Sequence, residues 1–267
     1  MSLLNFRDAA QIADPEGAVL RPGVLFRSAQ PLPVADAQTV ELLRGAGIGV
    51  VVDLRSGVER EPGDWAAAED AGIEVVQAPV DPNTRVALDE LRTLRTNADL
   101  GSFYLALADS SPATLATVVR TVADRGPVLV HCAAGKDRTG LVMALLLDLL
   151  GVPWDRIAAD YASTADALPE LFPALAARRH VAALNRKPPA EGAATGARTR
   201  GERVSRLATP LAEAPAEAIL AFLDGVRTRH GGAQEFLLAC GLSPQDIDGF
   251  RAATAPAPAP DSAPCLS

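Results

Sequence analysis

One stretch constrains this chain more than any other: Val128-Leu129-Val130-His131-Cys132-Ala133-Ala134-Gly135-Lys136-Asp137-Arg138-Thr139-Gly140. An apolar run ends in a cysteine and three small residues follow. An arginine then stands six positions after the cysteine, where the apolar segment Leu141 to Leu147 begins. The order calls for a strand that stops at Cys132, a loop tight enough to surround one anion, and a helix whose N-terminus points back at that loop. Cysteine attacks as its thiolate, which a helix N-terminus or a neighbouring cation favours. Lys136, Arg138 and the helix beginning at Thr139 supply both.

Each loop residue has a chemistry. Cys132 is placed to attack phosphorus in line with the leaving oxygen, giving a phosphocysteine that water then hydrolyses. Arg138 offers a planar fork for two equatorial oxygens and a charge for the transition state. Ala133, Ala134 and Gly135 are small enough to turn their N–H groups inward, Lys136 and Thr139 complete the expected phosphate ligands, and Thr139 can also donate to the departing sulfur. His131 either fixes the loop from behind or serves the core alone, bonded to backbone. The leaving oxygen needs a proton, for which Asp137 and Asp81 are the candidates. Proximity favours Asp137; its other reading is a salt bridge that orients Arg138.

Competing chemistries fail on spacing. A nucleotide-binding P-loop needs a glycine where Val130 stands and Ser or Thr where Asp137 stands. A zinc site needs more Cys and His than this region holds, so no metal and no cofactor is expected. The three cysteines, Cys132, Cys240 and Cys265, form no disulfide framework; Cys240 sits in an apolar helical pattern and reads as structural.

The rest of the chain alternates strand and helix. Strands are expected at Val24 to Phe26, Ile48 to Leu54, Ile73 to Val80 and Val128 to Val130. Helices are expected at Ala35 to Arg44, Glu59 to Ala71, Leu88 to Asp99 with Phe103 to Leu107 continuing it, Pro112 to Asp124, and Thr139 to Leu150 as the buried centre. Further helices follow at Trp154 to Ala165, Leu171 to Leu184, Pro215 to Arg229, Ala233 to Cys240 and Ile247 to Ala253. This rhythm predicts an α/β fold with a central, mostly parallel sheet flanked by helices and extra helices at the C-terminal end. Active sites in such sheets gather at the carboxyl ends of strands. Arg27, Arg55 and Asp81 all follow strand ends, either supporting the loop or forming surface salt bridges.

Residues 1–253 read as one domain containing a basic, lid-like insertion at 168–206, where Arg178, Arg179, Arg186, Lys187, Arg198, Arg200, Arg203 and Arg206 flank an Ala, Gly and Pro spacer. Plain flexibility explains that spacer better than docking does. Residues 254–267 read as a disordered Ala/Pro tail. With 267 residues, 48% of them hydrophobic, the chain can bury a large core. Its net charge of -8 argues against nucleic acid as a partner, so an anionic substrate must be held locally. No apolar run reaches the roughly 18 residues of a membrane span and no signal peptide is legible. A cytoplasmic monomer is expected, with leaderless secretion as the alternative.

The loop His131 to Gly140 resembles the HCxxGKDRTG signature of bacterial tyrosine/serine phosphatases, a cysteine-dependent family of dual and triple specificity with a secreted mycobacterial member. Leu25-Phe26-Arg27-Ser28, Val52-Asp53-Leu54-Arg55-Ser56, Ala159-Asp160-Tyr161 with Ser163, Gly231-Gly232 and Gly241-Leu242-Ser243 extend the resemblance over most of the chain. It implies the cysteine-phosphatase fold, no metal, and phosphotyrosine in proteins as substrate, with phosphoserine/threonine or phosphoinositides as extensions. Asp137 corresponds to the family's loop acid, Lys136 to the extra lysine of lipid phosphatases, and residues 168–206 to a helical lid. A phosphate-binding module without turnover is the non-enzymatic alternative.

Overall fold

The computed structural model describes residues 3–81, 89–91, 93–177 and 209–256. Five strands form one sheet in the order β1-β2-β5-β3-β4: β1 (Arg7–Asp8), β2 (Leu25–Ser28), β3 (Val50–Asp53), β4 (Glu74–Gln77) and β5 (Val128–His131). β2, β5, β3 and β4 run parallel, and the short β1 pairs antiparallel at the edge. This is the expected mixed α/β, mostly parallel arrangement, with β5 at its centre.

Two-sided burial explains the apolar runs. Leu25, Val50, Val52, Val128 and Val130 point into the larger core, while Phe26, Val51 and Leu129 point into a second one with Leu43, Trp65 and Ile73. Register then fixes where the site forms. His131 pairs with Ser28 on one side and Asp53 on the other, so the segments beginning at Ala29, Leu54 and Cys132 leave the sheet side by side at its carboxyl edge.

The helices are α1 (Ala10–Ala13), α2 (Ala37–Gly45), α3 (Ala66–Asp70), α4 (Asn97–Asp109), α5 (Pro112–Arg125), α6 (Asp137–Leu149), α7 (Trp154–Ala162), α8 (Leu168–Ala177), α9 (Thr209–Ala212), α10 (Ala216–His230), α11 (Ala233–Ala239) and α12 (Pro244–Thr254). α6 is the buried centre, with every residue from Arg138 to Leu147 buried. Each fully buried leucine there contributes about 1.5–3 kcal/mol.

Several boundaries differ from the sequence reading. The helix expected over Glu59 to Ala71 is a 3₁₀ turn at Gly57–Glu59, a loop, and only α3. Pro62 and Gly63 interrupt it, the latter at φ +85°. The helix expected from Leu88 on is interrupted near Leu94 and Arg95, and α4 starts afresh at Asn97: the Thr96 side chain accepts from the Asp99 N–H and the Asp99 side chain accepts from the Thr96 N–H. α6 begins two residues before the expected Thr139, which brings Asp137 into its first turn. The expected helix from Leu171 is α8, which starts at Leu168. Its continuation past residue 177, most of the 168–206 insertion, and the tail from 257 with Cys265 lie outside the described residues. Among the described residues no helix is long and apolar enough to cross a membrane.

Candidate active site

Cys132 follows β5 directly and is 2% exposed. The loop after it is held by its carbonyls. Ala133 O accepts from the Gln30 N–H at 3.1 Å, and Gly135 O accepts from Arg27 Nη2 at 2.7 Å and Asn5 Nδ2 at 3.0 Å. Outward-facing carbonyls turn the peptide N–H groups the other way, and no described backbone hydrogen bond uses the N–H of residues 133–136 as donor. The first N–H groups of α6 add further free donors. Gly135 makes the turn possible: its φ is +65°, and a Cβ there would sit 2.2 Å from the Ser28 carbonyl oxygen.

The scaffold behind the loop is a buried ion cluster. Arg27 and Arg7 both bond Asp160, Arg7 through Nε at 2.7 Å, and all three side chains are nearly inaccessible. Burial alone would raise the Asp160 carboxyl, yet the Arg27 and Arg7 charges hold it below the usual range. Arg55 is equally buried and forks onto Asp53, with Nη1 also donating to Asp64 Oδ2 and Gln30 Oε1 at 2.8 Å each. Neither arginine is a surface salt-bridge residue; Arg27 touches the loop and Arg55 braces the segment after β3.

His131 lies behind the cysteine. The Trp65 indole N–H donates to Nε2 at 3.2 Å, so the proton of the neutral ring is on Nδ1, which faces the Cys132 carbonyl at 3.0 Å. Burial pushes the imidazole below its ordinary 6.5 and keeps it neutral.

Arg138 meets a residue that local spacing does not reveal. Its Nη1 and Nη2 donate to the two carboxylate oxygens of Glu59 at 2.7 and 2.6 Å, and Nη1 approaches Leu54 O at 3.5 Å. Glu59 is itself fixed by the Ser56 N–H and hydroxyl. The carboxylate takes the end of the guanidinium, leaving the Nε–Nη2 edge as a parallel pair of donors, the geometry that suits two oxygens of one phosphoryl group. Burial opposes the charge on Arg138, but the Glu59 bond and the Cys132, Glu59 and Asp137 charges outweigh it and raise the guanidinium above its ordinary value. The same pairing brings Glu59, against burial, down to about 2.

Asp137 and Lys136 are paired with each other. The Lys136 ammonium, 1% exposed, donates to Leu211 O and Glu213 O at 2.8 Å each and lies 3.1 Å from Asp137 Oδ1. Two of its donors are thereby taken by main-chain carbonyls and its charge is paired with Asp137, so the ammonium is held by the chain itself. Asp137 Oδ1 also accepts from the Tyr104 hydroxyl at 2.6 Å, and Tyr104 meets the Tyr161 hydroxyl at 2.7 Å. No ion pair between Asp137 and Arg138 is formed among the described residues, where Glu59 takes that part. Asp81 lies on the exposed rim, just after Val80, whose N–H bonds Leu54 O. Thr139 Oγ1 is buried without a hydrogen-bond partner. Among the described residues no cluster suits a metal ion.

The family profile described as tyrosine phosphatase family matches residues 1–255. A candidate tyrosine-protein phosphatase of Cupriavidus necator is 36% identical over 167 residues, covering 60% of this chain and 60% of that one. The triple specificity protein phosphatase PtpB of Mycobacterium tuberculosis is 34% identical over 205 residues, covering 62% and 68%. A tyrosine-protein phosphatase of Nostoc commune is 29% identical over 255 residues, covering 89% and 80%. A cysteine at the sheet edge, a cradle of free N–H groups and an oriented arginine thus sit inside a match that spans nearly the whole sequence, and the chain belongs to the tyrosine phosphatase family.

Proposed function

We propose that this protein is a cysteine-dependent phosphatase that hydrolyses phosphotyrosine in proteins through a phosphocysteine intermediate. The observation that carries the reading is a loop after Cys132 whose N–H groups serve no described backbone hydrogen bond, together with an Arg138 that Glu59 holds by its end and that interacts electrostatically with Cys132. In the first step the Cys132 sulfur bonds phosphorus as the bond to the leaving oxygen breaks, and Asp137 protonates that oxygen. In the second, water bonds phosphorus, the sulfur departs with its electron pair, and Asp137 takes the water's proton. Thr139, whose buried hydroxyl has no partner in the structure, is the candidate donor to the leaving sulfur.

Depth favours an aryl substrate. Cys132 is almost wholly buried, which supports a substrate that carries its phosphate on a long aryl stem over one that carries it close to the backbone. Phosphoinositide hydrolysis by the same steps is the alternative, and the engagement of Lys136 with Leu211 and Glu213 removes its main support. PtpB carries triple specificity in its name, so all three substrate classes belong in the assay. Wild type is expected to turn over a generic aryl phosphate in the presence of a chelator, Cys132→Ser to lose this completely, and phosphotyrosine peptide to exceed phosphoserine peptide and short-chain phosphoinositide. Absence of turnover on every phosphomonoester would leave a binding module instead.

A further inference from the structure

Asp137 has two carboxylate oxygens in different surroundings. Oδ1 accepts a hydrogen bond from the Tyr104 hydroxyl at 2.6 Å and lies 3.1 Å from the Lys136 ammonium, its ion-pair partner. Because Tyr104 gives its proton to Asp137, the Tyr161 hydroxyl, 2.7 Å away, donates in turn to Tyr104. Tyr104 comes from α4, Tyr161 from α7 and Lys136 from the loop, so three elements converge on one oxygen. Both tyrosines are buried, whereas the Asp137 side chain is 27% exposed. Tyr161 is further located by Gly140, where a Cβ would lie 2.7 Å from its ring.

We propose that Tyr104, backed by Tyr161, and Lys136 are positioning residues that clamp Oδ1 of Asp137 and so assign the transferable proton to Oδ2. The inference rests on Asp137 as the acid. An oxygen that already accepts from a hydroxyl and is paired with an ammonium is a poor place for a proton, so protonation falls on Oδ2, which has no hydrogen-bond partner among the described residues. The clamp also stops the carboxyl rotating, which keeps Oδ2 aimed at the leaving oxygen in the first step and at water in the second. Tyr104 and Tyr161 are kept as neutral hydroxyls by burial and by the Asp137 charge, so they donate without titrating in the working range.

The charged and titratable groups facing Asp137 are Lys136 and Arg138 from the loop and α6, Tyr104 from α4 and Tyr161 from α7. The test is a leaving-group series of aryl phosphates from activated to poor, followed with pH, for wild type, Asp137→Asn, Tyr104→Phe and Tyr161→Phe. The expected result for Tyr104→Phe is a loss of about tenfold in kcat on poor leaving groups, the equivalent of one charge-assisted hydrogen bond, with activated substrates little changed. Tyr161→Phe gives the same pattern at smaller size, and stands in should Tyr104→Phe fail to fold. Equal loss across the series, or none, in the folded tyrosine variants overturns the clamp. If Asp137→Asn itself shows no selectivity for poor leaving groups, the acid assignment fails first and the clamp falls with it.

Discussion

Glu59 shows how far a single carboxylate can determine a site. By binding the end of Arg138 it decides which guanidinium edge meets the phosphoryl oxygens. Glu59→Gln keeps one acceptor and loses the charge; kcat/KM on aryl phosphate is expected to fall roughly 10- to 100-fold, the range of charge-assisted hydrogen bonds. The same pair links stability to pH. The folded-state value of about 2 lies below the ordinary 4.5, so the stabilisation is complete above 4.5 and disappears as pH falls through about 2. Urea midpoints measured across that window should decline more steeply for wild type than for Glu59→Gln. Gly135→Ala makes a different test: with a Cβ 2.2 Å from the Ser28 carbonyl, the loop must open, and both folding stability and turnover should be lost, the former by upwards of about 2 kcal/mol.

At the scale of elements, α4 and α10 meet through small residues. A Cβ on Gly101 would lie 2.6 Å from the Ala221 Cβ and 2.8 Å from the Ala218 carbonyl, so Gly101→Ala is expected to destabilise by about 1–3 kcal/mol in urea unfolding. It should also reduce turnover on poor leaving groups, because α4 carries Tyr104. The strands, the loop and the central helix were legible because they are written locally: apolar runs for strands buried on both faces, a cysteine and an arginine at fixed spacing, a helix too apolar for the surface. What was not legible depends on distance along the chain. Glu59 reaches Arg138 across 79 positions and Tyr104 reaches Asp137 across 33, with no periodicity to announce either. That Arg55 follows a strand was readable, whereas Arg27 lies within β2, and the burial of neither was legible, since the acid that neutralises Arg27 is Asp160, 133 residues later. The partners of Lys136 were hidden for a related reason. Its neighbours in sequence are phosphate-loop residues, while its partners in space, Leu211 and Glu213, return from the far side of the insertion.

Across the whole molecule, an oxyanion in the cradle should act as a clamp on folding. A ligand present at one hundred times its Kd adds about 2.7 kcal/mol, which for a chain of this size raises Tm by roughly 5–10 °C. Orthovanadate is expected to do so for wild type in a thermal scan and to do far less for Arg138→Met. The buried ring pair behind the cysteine carries a consequence of another kind. The chain has two tryptophans, Trp65 and Trp154, so all indole emission comes from two places. Trp154 lies under the Arg227 guanidinium at 4.6 Å, while Trp65 is bonded to His131, next to the nucleophile. A Trp154→Phe protein would therefore hold a single light source one residue from the reacting sulfur. Since burial depresses His131, its brightness should stay level through neutral pH and dim only in acid, when the imidazole gains a proton on Nε2 and can no longer accept from the indole.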